Sequence, residues 1–182
     1  MPVGQILISS RTLRQRIKEL AREITKDHQP EELVVLGLMN GSIFFLSDLL
    51  RWINLPTILE TCRLRSYRGT TSTGRVWGLD QLQGDFEGRR VLVVDDILDS
   101  GATLNALRDA LAQRKPRSVK IAVLLSKRVA RKADVKADYV GFEIPNTFVI
   151  GYGLDYEGKY RYLPSIHLFE PEGEGPVRGC AS

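Results

Sequence analysis

Apolar residues near the N terminus recur at the period of a helix. Spacings of four, three and four residues predict an amphipathic helix in this part of the chain. Ser9 or Ser10 can cap it, because a serine hydroxyl accepts from the free N–H groups of a first turn. Its apolar face consists of Leu13, Ile17, Leu20 and Ile24.

Further along, apolar runs alternate with helical patterns. A buried strand is predicted at residues 31–38, and further strands at 56–67, 88–97, 118–127, 137–145 and 147–155. Helices are predicted at 42–53 and 103–114, and a loop at 68–78, which is small, polar and rich in glycine. Such alternation is typical of βαβ units. The predicted fold class is α/β, with a mostly parallel twisted sheet flanked by helices on both faces.

Composition adds limits to this picture. The chain has 182 residues, of which 43% are hydrophobic and 26% charged, as expected of one globular domain. We expect that domain over residues 1–170, followed by a flexible tail at 171–182 that is rich in glycine and proline. No apolar run approaches the roughly 20 residues of a membrane helix, and no signal peptide is recognisable. Cys62 and Cys180 do not form a disulfide framework, so we expect a cytoplasmic protein.

The stretch VLVVDDILDSGATL, at residues 91–104, carries the main chemical signal. A predicted strand runs into Asp95 and Asp96, and in parallel sheets ligands sit beyond the carboxyl ends of strands. These carboxylates can accept hydrogen bonds from sugar hydroxyls or hold a divalent cation. We therefore expect a polar ligand at this end of the sheet.

The turn that follows suits a phosphate. A helix N terminus offers unpaired N–H groups, Gly101 allows a close approach, and Ser100 and Thr103 add hydroxyl donors. The spacing is not that of a triphosphate P-loop, because the characteristic lysine is absent. A phosphorylated sugar is the predicted ligand. For Asp99 alone, a simple capping role is an equally good interpretation.

Several segments resemble the 6-oxopurine branch of the type I phosphoribosyltransferase family, the hypoxanthine-guanine phosphoribosyltransferases. The resemblance covers about residues 30–170, and the segment at 140–156 is its most specific part. The matching segments are VLVVDDILDSGATL (91–104), SYRGTTSTG (66–74), LLSKR (124–128), VGFEIPNTFVIGYGLDY (140–156) and KYRYLP (159–164).

The resemblance implies a fold with a small hood above the sheet and a reaction of purine salvage. Ribose 5-phosphate would pass from phosphoribosyl pyrophosphate to hypoxanthine or guanine, giving IMP or GMP and pyrophosphate, with Mg²⁺ required. Asp95 and Asp96 would bind the ribose hydroxyls directly or through the metal. The residues around the 5′-phosphate would be Asp99, Ser100, Gly101, Ala102 and Thr103.

The purine subsite follows from the same resemblance. Asp99 would be the catalytic residue, exchanging a proton at the purine N7. Lys127 would donate to O6, and because an ammonium only donates, it favours a 6-oxo over a 6-amino purine. Phe148 would stack on the base and the main chain of Val149 would contact its edge. For Lys127 and Phe148, an exposed surface lysine and a core aromatic are the plain alternatives.

For pyrophosphate, the resemblance implies Asn40, Gly41 and Arg161, with Asp155 holding a second Mg²⁺. It also implies that the peptide bond between Met39 and Asn40 is cis, or becomes cis when ligand binds. Asn40 stands where the family usually has lysine, which predicts weaker binding on the pyrophosphate side. A flexible loop would close over the site and exclude water, with Ser66, Tyr67, Ser72, Thr73 and Gly74 as its matching residues.

Three other interpretations compete with this one. Some proteins of this fold bind RNA, and the basic run at 127–136 fits them, although a solvated surface is the better interpretation of that run. An adenine or orotate transferase is disfavoured by Lys127 and Asp99. A weakly active paralogue is favoured only by Asn40. We expect no nucleic acid or membrane partner, and a homodimer or homotetramer as the family implies.

Overall fold

The computed structural model describes residues 2–66, 76–129 and 135–170. Three α-helices are present in these ranges, together with a short 3-10 helix at Leu79–Gln81. The helices are α1 (Ser10–His28), α2 (Ile43–Leu50) and α3 (Ala102–Ala112). The strands are β1 (Val3–Ile8), β2 (Leu33–Leu38), β3 (Thr57–Cys62), β4 (Arg65–Ser66), β5 (Val76–Trp77), β6 (Arg90–Leu98), β7 (Ser118–Lys127), β8 (Tyr139–Ile144), β9 (Val149–Ile150) and β10 (Ile166–Phe169).

A five-stranded parallel sheet forms the centre of the fold, in the order β3-β2-β6-β7-β8. Helices α1 and α2 pack on one face and α3 on the other, so both faces are covered. The first half of strand β6, residues 91–94, is continuously apolar because Leu92 and Val94 enter one core and Val91 and Val93 enter the other. The predicted α/β class with helices on both faces is confirmed.

The first helix has the predicted face and cap. Ser9 is its N-cap, and the Ser9 hydroxyl accepts a hydrogen bond of 3.2 Å from the Thr12 N–H. All four residues of the predicted apolar face are buried in the core: Leu13, Ile17, Leu20 and Ile24.

A second, antiparallel sheet of three strands has the order β1-β10-β9 and corresponds to the expected hood. Its strands β1 and β10 were not predicted. The strand predicted over 147–155 is wrong in extent, because only Val149–Ile150 is strand. Left-handed backbone follows at Gly151, Tyr152 and Gly153, and their N–H groups pair within the turns that follow.

The predicted loop at 68–78 is also partly wrong. Val76–Trp77 forms strand β5, which pairs antiparallel with β4. Most of that predicted loop lies outside the described residues, as does the predicted tail at 171–182. Among the helices of the described ranges, none is long and apolar enough to cross a membrane.

His28 ends α1 as a buried imidazole. Its Nδ1 has no hydrogen-bond partner in the described part of the chain, and its Nε2 lies 3.4 Å from the Tyr139 hydroxyl. The pKa of His28 is lowered, first by burial and then by the nearby charges of Lys120 and Arg90. The native state therefore favours the neutral ring.

Acid is expected to destabilise the protein through His28. As the pH drops below about 6.5, His28 of the unfolded chain binds a proton that His28 of the folded chain does not yet bind. The free energy of unfolding therefore falls in this range. It levels off once the pH is below the folded pKa. His28→Gln should flatten this part of the profile, measured by urea unfolding between about pH 8 and pH 5.

The matched control is His167→Gln, since His167 is the other of the two histidines. It shows how far replacing a histidine by glutamine changes the slope at a position other than His28. Equal slopes for the wild type and the His28 variant would contradict the assignment.

Candidate active site

The carboxyl end of β6 carries two adjacent, half-buried carboxylates. The Asp96 N–H donates to Asp95 Oδ1 at 3.0 Å, and the Ile97 N–H donates to Asp96 Oδ1 at 3.0 Å. Burial, followed by the neighbouring Asp96, raises the pKa of Asp95 well above its usual range. Burial also raises the pKa of Asp96. A ligand that brings hydroxyl donors or positive charge would relieve this cost.

The thiol of Cys62 is buried as well, and it lies close enough to Asp95 to be affected by the charge of that carboxylate. Burial, and then the charge of Asp95, raises the pKa of Cys62 to about 11. The thiol is therefore protonated near neutral pH and unsuited to act as a nucleophile.

The loop between β2 and α2 is packed directly against this end of β6. A Cβ atom on Gly41 would overlap the Asp96 carboxylate, and one on Gly153 would overlap the Gly41 carbonyl oxygen. Glycine at these two positions lets three segments meet at one point. The Met39–Asn40 peptide bond is cis, which confirms the prediction for that bond. Asn40 itself is exposed beside the site.

The turn after β6 leaves the start of α3 open. Gly101 is the N-cap residue, with a left-handed φ of 80°, and no side chain caps the helix. The capping interpretation of Asp99 is therefore wrong. The Ala102 N–H has a long contact of 3.5 Å to the Ser100 hydroxyl. N–H groups of this first turn, with the Thr103 side chain, are placed to receive an anion.

Asp99 instead forms an ion pair with Lys127. The Lys127 Nζ lies 2.9 Å from Asp99 Oδ2, and the lysine side chain is only 11% exposed against 44% for the aspartate. The contact follows from the sheet, since β6 and β7 are parallel neighbours with Leu98 opposite Ser126. The surface-lysine interpretation of Lys127 is wrong. The pair joins the turn after β6 to the neighbouring strand β7.

The hood contributes Phe148 and Val149. Phe148 is 47% exposed, so it is not simply a core residue. Val149 is buried and pairs with Leu168 of β10, and its strand β9 is an edge strand in the sheet order β1-β10-β9. An exposed aromatic beside main-chain polar groups can stack on a flat ring and hydrogen-bond to its edge.

Asp155 and Arg161 form a second ion pair beyond β9. The Arg161 Nη2 lies 2.7 Å from Asp155 Oδ1, and the Arg161 Nη1 donates to the Gly153 carbonyl at 2.5 Å. Asp155 also accepts from the Gly158 N–H at 2.7 Å. The positive charge of Arg161 partly offsets the raised pKa of Asp96, so this pair lies within electrostatic reach of β6.

The described residues contain no cluster of three or more side chains that would by itself hold a metal ion. Mg²⁺ commonly binds through one or two protein carboxylates while substrate phosphates and water complete its octahedron. Asp95 with Asp96, and Asp155 separately, fit that mode. The donor set is all oxygen, as a hard cation prefers.

Of the predicted loop residues, only the backbone of Ser66 is described, within β4. Tyr67, Ser72, Thr73 and Gly74 lie outside the described residues. Sequence reasoning missed the Tyr152 hydroxyl, which donates to Asp48 Oδ2 at 2.5 Å and ties α2 to the turns after β9. No local signal announces a contact between residues so far apart in the chain.

Comparison with known proteins agrees with this geometry. The family model for the "Phosphoribosyl transferase domain" matches residues 4–157. The fold and the site thus define a phosphoribosyltransferase domain. The hypoxanthine-guanine phosphoribosyltransferase of Bacillus subtilis (strain 168) is 40% identical over 170 residues, covering 93% of this chain and 94% of its own. This chain belongs to the hypoxanthine-guanine phosphoribosyltransferase family.

Solved structures lead to the same family. The crystal structure of a hypoxanthine-guanine phosphoribosyltransferase from Bacillus anthracis matches with a TM-score of 0.87 and 41% identity, over 91% of this chain and 98% of that one. The bifunctional protein TilS/HprT of Listeria monocytogenes serotype 4b is 42% identical over 171 residues. This chain spans only 26% of the length of that relative.

Proposed function

We propose that the protein transfers ribose 5-phosphate from phosphoribosyl pyrophosphate to hypoxanthine or guanine, releasing pyrophosphate and giving IMP or GMP. The observation that carries the proposal is the Lys127–Asp99 ion pair beside the open N terminus of α3. Lys127 can only donate hydrogen bonds, which suits the purine O6, and Asp99 can accept the proton of N7. The open first turn of α3 suits the 5′-phosphate. Family membership supports the same reaction.

The 5′-phosphate would lie in the turn from Asp99 to Thr103. Its oxygens would accept hydrogen bonds from the first-turn N–H groups of α3, where the helix dipole favours negative charge. Asp95 and Asp96, just upstream on β6, would accept from the two ribose hydroxyls. The sugar is then held at both ends, which fixes its anomeric carbon relative to the purine.

The purine would lie between Lys127 and the hood. Lys127 donates to the exocyclic O6, and the exposed ring of Phe148 covers one face of the base. Asp99 accepts the proton of N7 as N9 of the purine attacks the anomeric carbon of the sugar. When the base enters, Lys127 shares its donors between O6 and Asp99, so the existing ion pair already places both groups.

We propose Mg²⁺ as the cofactor, held by Asp95 and Asp96 on the ribose side and by Asp155 on the pyrophosphate side. When bound, the metal neutralises charge on the leaving pyrophosphate. On the protein's side, Arg161 and the main chain of the loop at Asn40 and Gly41 would bind the pyrophosphate oxygens. Arg161 must then move from, or share, its contact with Asp155.

Steady-state rates with hypoxanthine, guanine, xanthine, adenine and orotate test this proposal at fixed phosphoribosyl pyrophosphate and Mg²⁺. Turnover with hypoxanthine or guanine, and much slower turnover with adenine and orotate, is the expected result. Equal rates with adenine would overturn the assignment of Lys127 as the selector of O6. Absence of turnover with every base, alongside a salt-dependent gel shift with RNA, would favour the RNA-binding interpretation.

Asn40→Lys is expected to tighten phosphoribosyl pyrophosphate. Asn40 is exposed in the loop that contacts Asp96. A cation added there would attract the negative charge of pyrophosphate, and solvent and salt would partly screen this attraction. The KM for phosphoribosyl pyrophosphate should fall by roughly 2- to 5-fold, a change typical of one exposed charge pair. Steady-state titration of that substrate measures it.

Asn54→Lys supplies the matched control, because Asn54 is an exposed asparagine in the segment after α2. It adds the same charge elsewhere and should leave this KM unchanged. An unchanged or higher KM in the Asn40 variant would contradict the prediction.

We also propose that residues 1–170 form one domain, that the protein acts in the cytoplasm, and that it works as a homodimer or homotetramer. Large apolar residues that remain exposed in a single copy of the chain support self-association: Ile43, Phe44, Trp52 and Tyr162. Sedimentation equilibrium should give two or four times the chain mass of 20.5 kDa. A monomer at micromolar concentration would contradict it.

A further inference from the structure

Three aromatic rings meet at the edge of the hood, and they come from three different segments. Phe148 precedes β9, Tyr156 lies in the turn after it, and Phe169 ends β10. The Phe148 ring lies 5.3 Å from Phe169 and 5.9 Å from Tyr156, centroid to centroid, edge-on to both at interplanar angles of 61° and 87°. The rings of Tyr156 and Phe169 lie 4.2 Å apart at 32°. We call these residues the aromatic triad.

We propose that Tyr156 and Phe169 are positioning residues that hold the Phe148 ring ready to stack on the purine. The proposal rests on the purine role given to Phe148 above. Phe148 needs such support because the residue is 47% exposed and lies just before β9, which is only two residues long. An exposed ring in this position would otherwise sample several rotamers, and binding would have to restrict them.

The backbone fixes the position of Phe169. The Phe169 N–H donates to the Phe148 carbonyl at 3.0 Å, which continues the antiparallel register of Leu168 with Val149. On its other side Phe169 pairs with Val3 of β1. Because Phe169 lies in the central strand of this sheet, its backbone is held on both sides. Its ring therefore packs against the Phe148 ring from a fixed backbone position.

The backbone of Tyr156 is fixed as well. Its N–H donates to the Lys159 carbonyl at 3.2 Å, and the Lys159 N–H donates back at 2.9 Å. The same turn contains Asp155, whose carboxylate accepts from the Gly158 N–H. Edge-to-face contacts from two anchored rings restrict the Phe148 ring, and the exposed part of this residue remains free for a flat base to cover.

The decisive variant is Phe169→Leu, which keeps an apolar side chain and removes the ring. We expect the KM for hypoxanthine to rise by roughly 3- to 10-fold, the size of the loss of an aromatic pair contact. The KM for phosphoribosyl pyrophosphate should change less than about twofold, because the triad belongs to the hood whereas the proposed 5′-phosphate site lies between β6 and α3. Phe169→Tyr restores a ring and should recover most of the purine affinity.

Phe142→Leu is the matched control, since Phe142 is a half-buried phenylalanine on β8 outside the triad. It tests whether a similar loss of packing moves the purine KM. Tyr156→Leu is an independent second variant, which keeps the question open to test if Phe169→Leu folds poorly.

The outcomes separate the inference from the function on which it depends. If Phe148→Leu itself leaves the purine KM unchanged, the purine role of Phe148 fails. If Phe148→Leu raises it but Phe169→Leu and Tyr156→Leu lower only the melting temperature, the triad merely stabilises the hood and the inference is overturned. A rise of both KM values together in the triad variants would overturn it as well.

Discussion

Replacing Asp99 by asparagine is expected to lower kcat by roughly 10²- to 10⁴-fold, the usual contribution of general acid–base catalysis. Asparagine keeps the shape of the side chain and an oxygen that can accept from Lys127, but it cannot take the N7 proton. The KM for phosphoribosyl pyrophosphate should change little, because α3 is not capped by this residue and its N–H groups remain in place. Steady-state kinetics with hypoxanthine measures both values.

A useful control is Asp109→Asn, because Asp109 is a 67% exposed carboxylate on the outer part of α3. It removes a carboxylate charge from α3, outside the turn that holds Asp99, and kcat should stay near the wild-type value. If the Asp99 variant also turned over near the wild-type rate, the carboxylate would not be the proton acceptor.

Replacing Lys127 by alanine is expected to weaken 6-oxopurine binding far more than the binding of phosphoribosyl pyrophosphate. Hydrogen bonds to charged groups contribute about 1.5–3 kcal/mol, which corresponds to a rise of roughly 10- to 150-fold in the purine KM. Lys127 is 11% exposed in the side chain, so water cannot easily replace its donors. Discrimination against adenine should decrease at the same time.

Two further variants make this result specific. Lys127→Met keeps most of the length of the side chain but loses the ammonium, so it should reproduce the loss if donation to O6 is the cause. Lys26→Ala removes an exposed lysine from α1 and should change neither KM. Unchanged purine affinity in the alanine variant, measured by calorimetric titration, would reduce Lys127 to a structural partner of Asp99.

The parts of the fold with strong local patterns were predictable from sequence. Helix α1 repeats its apolar residues at helical spacing and has a serine cap, and β6 contains an unbroken apolar run at residues 91–94 with charged residues on both sides. The hood was not predictable in the same way. Strands β9 and β10 have two and four residues, and β1 pairs with β10 across most of the chain, so their stability comes from distant partners.

The candidate site shows the same division. Asp95, Asp96 and the glycine turn stand together in the sequence, so their common location could be predicted from one motif. Lys127 and Asp99 were each assigned through resemblance, but their ion pair depends on β6 and β7 being parallel neighbours in one register. Contacts of the aromatic triad likewise depend on the register of β9 with β10.

Pairing of β1 with β10 brings the two ends of the described fold to one place. Val3 lies opposite Phe169, and the Glu170 N–H donates to the Pro2 carbonyl at 3.1 Å. A domain whose ends are adjacent at its surface can be attached to another polypeptide without disturbing its interior. The architecture is therefore modular, and this suits a family in which a Listeria relative carries the matching region as about a quarter of a longer, bifunctional chain.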